Sequence, residues 1–304
     1  MPFRVPFELL RPAGRRGPEW STWLARLPTL VDECVQRWAL RIVRPLAADH
    51  SLLLEVERAD RGPAVLKLAL PEPESEHEAE GLRRWDGHSA VRLLEADPAR
   101  GALLLERVLP GRQLWTIDER DAMTVALALL PRLWMPLEDG HPFERVAVLA
   151  PQWAAKTLEL FDATGRVFAP ELAEEAARAF ADLGASQPDE VLVHRDFHGG
   201  NVLSGEREPW LVIDPKPTAG EAAFDVAWLL GDRQRGVTPA LAAHRLDQAA
   251  SELGLDRERL RRWTVARYTL GGLWSLEHAG PGALHIGVAT VYACLLYTSD
   301  AADE

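Results

Sequence analysis

Cysteine is nearly absent from this chain of 304 residues. Only Cys34 and Cys294 occur, so no disulfide framework is available and a reducing compartment, the cytoplasm, is expected. No stretch approaches the roughly 20 apolar residues of a membrane-spanning helix. The N-terminus carries Arg4, Glu8 and Arg11 without a sustained apolar core, unlike a secretory signal. Positive charge is in deficit too: 34 Lys and Arg stand against 46 Asp and Glu, a formal net charge of −12. That balance argues against nucleic-acid and anionic-membrane partners and suits a small cationic substrate. No GxxxxGK occurs, which excludes a P-loop. Repeats and low-complexity tracts are missing as well. What remains, 47% apolar and 26% charged, is an ordinary globular composition with enough chain for two separate cores.

The chain is organised around residues 191–215, VLVHRDFHGGNVLSGEREPWLVIDP. An apolar arm, Val191–Val193, leads into a polar loop. Val202 and Leu203 follow, Gly205 to Pro209 turn the chain, and Trp210 to Ile213 return it, the pattern of strand, loop, hairpin and strand. Asp196 follows the first arm and Asp214 the last, so two carboxylates and the Asn201 amide converge. Phosphoryl transfer from a nucleotide uses such a set: one carboxylate orients or deprotonates the attacking hydroxyl, while a second and an amide oxygen hold Mg²⁺ against the phosphates. Asp196 fits the first role, Asn201 and Asp214 the second. A zinc-loop reading of His194, Asp196 and His198 would need a further His, Cys or carboxylate at fixed spacing, and no downstream His cluster supplies one. His194 then reads as a brace of the loop and His198 as a loop residue near the phosphate.

His194-Arg195-Asp196 with Asn201 five residues beyond the Asp resembles the catalytic loop of kinases, and Ile213-Asp214-Pro215 resembles the metal-binding Asp of the aminoglycoside phosphotransferases. Ile-Asp-Pro-Lys-Pro followed by Gly220, Phe224, Asp225 and Trp228 is most similar to their streptomycin 6-kinase and hydroxyurea-kinase branch, and the likeness runs from about Trp20 to Ala293. It implies an α+β, protein-kinase-like fold of two lobes, with a small antiparallel five-stranded N-lobe and a mainly helical C-lobe. The activity implied is an ATP- and Mg²⁺-dependent phosphotransferase acting on a hydroxyl of a streptomycin-type aminoglycoside. The alternatives are a kinase for hydroxyurea or another metabolite, and a nucleotide-binding protein without transferase activity. ATP and GTP are not distinguished, and a monomer is expected. In the family the residue at Asp225 braces the catalytic loop, a role suited to a buried carboxylate that accepts backbone N–H bonds.

From Leu40 the apolar period changes to two. Segments 41–46, 52–58, 64–70, 91–95 and 102–108 read as strands, with one helix between the third and fourth. Lys67 lies inside the third strand among apolar neighbours, where it must snorkel or meet an anion. The resemblance places it on the α- and β-phosphates, held by a Glu of the following helix. Glu78 shares a face with Leu82 and Trp85 at i+4 and i+7 and is the choice, with Glu76 as the alternative. The phosphate-covering loop would fall on residues 47–51, which lack glycine, so Ser51 is the candidate donor there. By the same resemblance the Glu106 carbonyl and Val108 amide read the adenine edge before a hinge at Pro110-Gly111.

Residues 1–17, rich in Pro and Gly, read as a disordered lead-in, 18–108 as the N-lobe and 109–293 as the C-lobe. Pro28 is expected to break an N-terminal helix into two, padding the back of the sheet. Cys34 is expected to be a small buried apolar residue on a helix. A cationic sugar needs carboxylate partners, and Asp232, Glu277 and His278 are the candidates for it. CLLYTSDAADE, residues 294–304, matches an in-frame reading of a transposon-derived sequencing adapter and is expected to be non-native.

Overall fold

The computed structural model describes residues 5–10, 17–48, 50–59, 62–70, 72–231, 236–278 and 280–295. They form two compact units, Met1–Arg112 with Ser204–Ile213, and Gln113–Leu203 with Asp214–Glu304. Among the described residues no helix is long and apolar enough to cross a membrane.

The first unit opens with α1 (Phe7–Leu10), a turn inside the stretch read as a lead-in, and with α2 (Gly17–Arg37). Strands β1 (Leu40–Leu46), β2 (Ser51–Arg58) and β3 (Gly62–Ala69) follow, then α3 (Pro73–Glu76), α4 (Glu78–Trp85), β4 (Leu93–Asp97) and β5 (Ala102–Glu106). The antiparallel sheet runs in the order β1-β2-β3-β5-β4. Alternate residues Leu52, Leu54 and Val56 of β2 and Ala64, Leu66 and Leu68 of β3 turn to one face and are buried with Trp20, Leu27, Val31 and Cys34 of α2. Pro28 does not break α2, contrary to expectation: the helix continues through it. The buried stripe from Trp20 to Cys34 spans the proline without interruption. Its burial outweighs the ~3 kcal/mol that an interior proline costs. Burial also pushes the Cys34 thiol up to about 11, with Asp97 adding to the shift. The fourth strand starts at Leu93 rather than Val91 because the Val91 N–H is used elsewhere. It donates to the Val212 carbonyl at 2.9 Å, and the Val212 N–H donates to Ser89 at 2.8 Å.

Beyond β6 (Pro110–Gln113), α5 (Glu119–Leu133) starts on Asp118, whose carboxylate accepts the Arg120 N–H at 3.0 Å. Then come β7 (Met135–Pro136), α6 (Val146–Ala163), α7 (Pro170–Ala185), β8 (Val191–Val193), β9 (Val202–Gly205), β10 (Trp210–Val212) and β11 (Thr218–Gly220). The chain closes with α8 (Ala222–Leu230), α9 (Pro239–Leu253), α10 (Arg257–Glu277) and α11 (Gly282–Cys294). In the second unit β8 lies between β11 and β7. Helix α10 is buried nearly all round, which makes it the axis of this unit. Trp153 of α6 stacks on Phe224 of α8 with centroids 5.6 Å apart, and Trp263 of α10 meets Phe224 edge-on at 5.0 Å. The described part of residues 294–304 is Cys294 and Leu295; the rest of the expected non-native tail lies outside the described residues.

Candidate active site

In the first unit, Lys67 projects from the face of β3 opposite the apolar core, between Leu53 of β2 and Leu103 of β5. Its Nζ donates to both carboxylate oxygens of Glu78, at 2.8 and 2.7 Å. Both side chains are buried, 8% and 3% exposed. An unpaired ammonium there would carry a heavy desolvation cost, which the carboxylate offsets. Glu78 sits where it does because Leu82 and Trp85, on the same face of α4, are buried. Ser51 opens β2 opposite Ala69. The Val108 side chain is buried, and its carbonyl accepts from Arg107 Nη1 at 2.9 Å.

Glu106 has partners the sequence did not suggest. Its carboxylate accepts Arg207 Nε and Nη2 at 3.1 and 2.9 Å and the Arg92 N–H at 3.1 Å. Arg207 sits at the turn between β9 and β10 and also donates to the carbonyls of Gly87 and Ala90. Burial alone would raise the Glu106 carboxyl, but the hydrogen bonds from Arg207 and Arg92 outweigh it and hold it below the usual range.

In the second unit, β8 buries Leu192 and Val193 and delivers the loop. Arg195 takes a φ of +65° and the Asp196 N–H turns back to the His194 carbonyl at 2.8 Å, a three-residue turn in a conformation rare outside glycine. Such a turn persists only when its surroundings hold it. Asp225, fully buried on α8, accepts the N–H groups of His194 and Arg195 at 3.0 and 2.7 Å and Trp134 Nε1 at 3.2 Å. Arg267 of α10 donates to the Arg195 carbonyl and, at 2.9 Å, to that of Phe224. Its guanidinium lies 4.2 Å over the Phe224 ring. Phe197 is buried, edge-on to His194.

Asn201 ends a short 3₁₀ turn, Gly199–Asn201, and its Nδ2 donates to the Asp196 carbonyl at 3.0 Å. With the amide nitrogen committed there, the oxygen is the atom left to meet a cation. Asp214 follows β10 with φ +56°. Two residues on, the Lys216 N–H donates to the His194 carbonyl at 3.0 Å, and Thr218 pairs with Val193. The segment bearing Asp214 is thus laced to the loop bearing Asp196 and Asn201. An amide oxygen and a carboxylate are hard donors that suit Mg²⁺, which fills its octahedron with phosphate oxygens and water. Among the described residues no three His, Cys, Asp or Glu side chains cluster as a metal site.

A family model, aminoglycoside/hydroxyurea antibiotic resistance kinase, matches residues 37–279. The chain belongs to this family. It is 40% identical to a hydroxyurea phosphotransferase of Kitasatospora aureofaciens, over 90% of this chain and 80% of that protein. A streptomycin 6-kinase of Streptomyces glaucescens is 38% identical over 92% of both chains. The fold is shared with the choline kinase LicA of Streptococcus pneumoniae, at TM-score 0.59 and 13% identity, covering 88% of this chain and 99% of that one. The α+β, protein-kinase-like fold expected of an aminoglycoside phosphotransferase relative is therefore the one observed.

The acceptor candidates are less gathered than those of this resistance-kinase loop. Glu277 and His278 lie exposed at the C-terminal end of α10, where His278 Nδ1 is 2.8 Å from the Trp274 carbonyl. Asp232 falls outside the described residues. A cavity of about 40 Å³ is walled by Arg195, Trp228, Arg267 and Trp274 among others; at ~10–15 Å³ per water it has room for a few waters and is too small for a sugar ring. Sequence reading missed Arg207, Trp134, Arg267 and the pair Gln113 and Trp115. Glu106 for Arg207, Asp225 for Trp134, Arg195 for Arg267 and Gly200 for Gln113 lie far along the chain, and no local period or motif marks these pairs.

Proposed function

We propose that the chain moves the γ-phosphoryl group of ATP to a hydroxyl of a streptomycin-type aminoglycoside, inactivating the antibiotic. The observation that carries this is the loop in which Asn201 donates to the Asp196 carbonyl and the Asp214 segment is laced back to the His194 carbonyl. Asp196 orients the acceptor hydroxyl and takes its proton. Asn201 and Asp214 hold Mg²⁺, which when bound neutralises the phosphate charge. Lys67, fixed by Glu78, contacts the α- and β-phosphates, with Ser51 as a further donor. The Glu106 carbonyl and Val108 amide read the adenine edge. Asp232, Glu277 and His278 supply the polar partners that a cationic sugar requires, in keeping with the net charge of −12. Most of the rate enhancement is electrostatic positioning.

A second acceptor, hydroxyurea, is favoured by the 40% identity to a hydroxyurea phosphotransferase. An acceptor panel with ATP and Mg²⁺, read by mass for an added phosphate, separates the readings. Streptomycin gaining one phosphate supports the first, hydroxyurea alone the second, and no acceptor-dependent ADP release leaves a nucleotide-binding protein. Asp196→Ala is expected to lower turnover by about two to four decades with nucleotide binding retained. Full activity in that variant would remove Asp196 from the role.

A further inference from the structure

His198 is two residues beyond Asp196 and its ring is held from three sides. Nδ1 accepts the Gly200 N–H at 3.1 Å. The Trp115 ring stacks on the imidazole, centroids 5.8 Å apart at 24°. Gly200 closes the third side so tightly that a Cβ there would lie 2.6 Å from the Trp115 ring and 2.9 Å from His198 Cε1. Trp115 is itself fixed: its Nε1 donates to Gln113 Oε1 at 2.6 Å, and Gln113 Nε2 donates to the Gly200 carbonyl at 3.3 Å.

This clasp determines a tautomer. A nitrogen that accepts a backbone N–H carries no proton, so neutral His198 has its proton on Nε2. Nε2 lies 3.9 Å from Asp196 Oδ1, while the Asn201 amide lies 3.5 Å from Oδ2. The two oxygens of the carboxylate therefore have different neighbours. We propose that His198 is a positioning residue for phosphoryl transfer: its Nε2–H sets the rotation of the Asp196 carboxylate toward the acceptor hydroxyl. At 3.9 Å no hydrogen bond is made; catalytic contacts are often long before substrate arrives and tighten in the complex. The acceptor's proton goes to Asp196, and His198 gains and loses none. Trp115 and Gln113 act one step further back, by holding the ring.

The inference rests on Asp196 as the acceptor's base, and two substitutions isolate it. The Asn oxygen in His198→Asn reaches the position of Nδ1 and keeps the Gly200 bond, but its NH2 stands at the position of Cδ2 and leaves no donor at that of Nε2. The Gln amide in His198→Gln reaches the position of Nε2 and keeps that donor. His198→Asn should lower kcat by about 10- to 100-fold, the cost of a misplaced reacting group, with acceptor KM and nucleotide Kd within twofold. His198→Gln should stay within about fivefold of the unsubstituted enzyme. Equal losses, or the reverse order, would reduce His198 to a cap of the 3₁₀ turn and overturn the proposal.

A readout without turnover decides the case if no acceptor is phosphorylated, an outcome that counts against the proposed function alone. In ¹⁵N-histidine spectra of the nucleotide-free protein, the His198 signal is the one lost in His198→Gln. It should report the Nε2–H tautomer and move in Asp196→Asn. An Nδ1–H tautomer, or no response to Asp196→Asn, would overturn the proposal.

Discussion

The two units hold their charged groups in opposite ways. In the first, Lys67 and Glu78 stand on a strand and a helix of ordinary geometry, and each side chain satisfies the other. In the second, the backbone around Asp196 and Asp214 is itself unusual, with positive φ at Arg195 and Asp214, and the bracing carboxylate of Asp225 is spent on backbone N–H groups. A side-chain pair can be exchanged for another pair. Apart from the Trp134 indole, the donors that the Asp225 carboxylate answers are main-chain N–H groups, which no side-chain substitution removes.

That difference yields the largest expected effect. Asp225→Ala strands two buried backbone N–H groups and the Trp134 indole. At about 1.5–3 kcal/mol for each hydrogen bond to a charged group, summed incompletely, it should cost about 4–6 kcal/mol. Urea unfolding gives the number, and a loss below about 1 kcal/mol would show that the loop holds without its brace. No second-site change to an apolar residue should restore stability.

Lys67→Met should cost less, about 3 kcal/mol, because it leaves Glu78 buried without its cation. Here the comparison sharpens. Adding Glu78→Leu should return most of that stability, since an apolar pair replaces an ionic one, while nucleotide binding by calorimetry stays weak. If the double variant is as unstable as the single, the Lys67–Glu78 ion pair is not what sets the cost. If it binds nucleotide normally, Lys67 has no phosphate to hold.

The same contrast explains what could be read from the residues alone. Lys67, Glu78 and the five strands follow from period-two and i, i+4 spacing, all local. The positions of Asp196, Asn201 and Asp214 follow from a motif that is also local. What holds them is not: Trp134 reaches Asp225 across 91 positions and Arg267 reaches Arg195 across 72. Pro28 inside α2 was illegible for the same reason, because the packing that overrides it comes from strands later in the chain.

Glu106 supplies the smallest effect and tests the first unit by itself. Its carboxylate is the acceptor that fixes the β9–β10 turn through Arg207. Being held below the usual carboxylate range, it contributes stability that is fully present above the unfolded pKa, about 4.3, and that is lost as pH falls through the lower folded value. Glu106→Gln keeps the shape and removes the charge. At pH 7 it should therefore be less stable than the unsubstituted protein by about 1–2 kcal/mol. As pH falls below the unfolded value and through the lower folded one, the gap should narrow, because the carboxyl takes up its proton and the two side chains are then both neutral. Paired urea midpoints at pH 7, 5 and 3 measure it. A gap that stays constant across that range would mean that shape, not the Arg207 ion pair, is what Glu106 contributes to the ribbon.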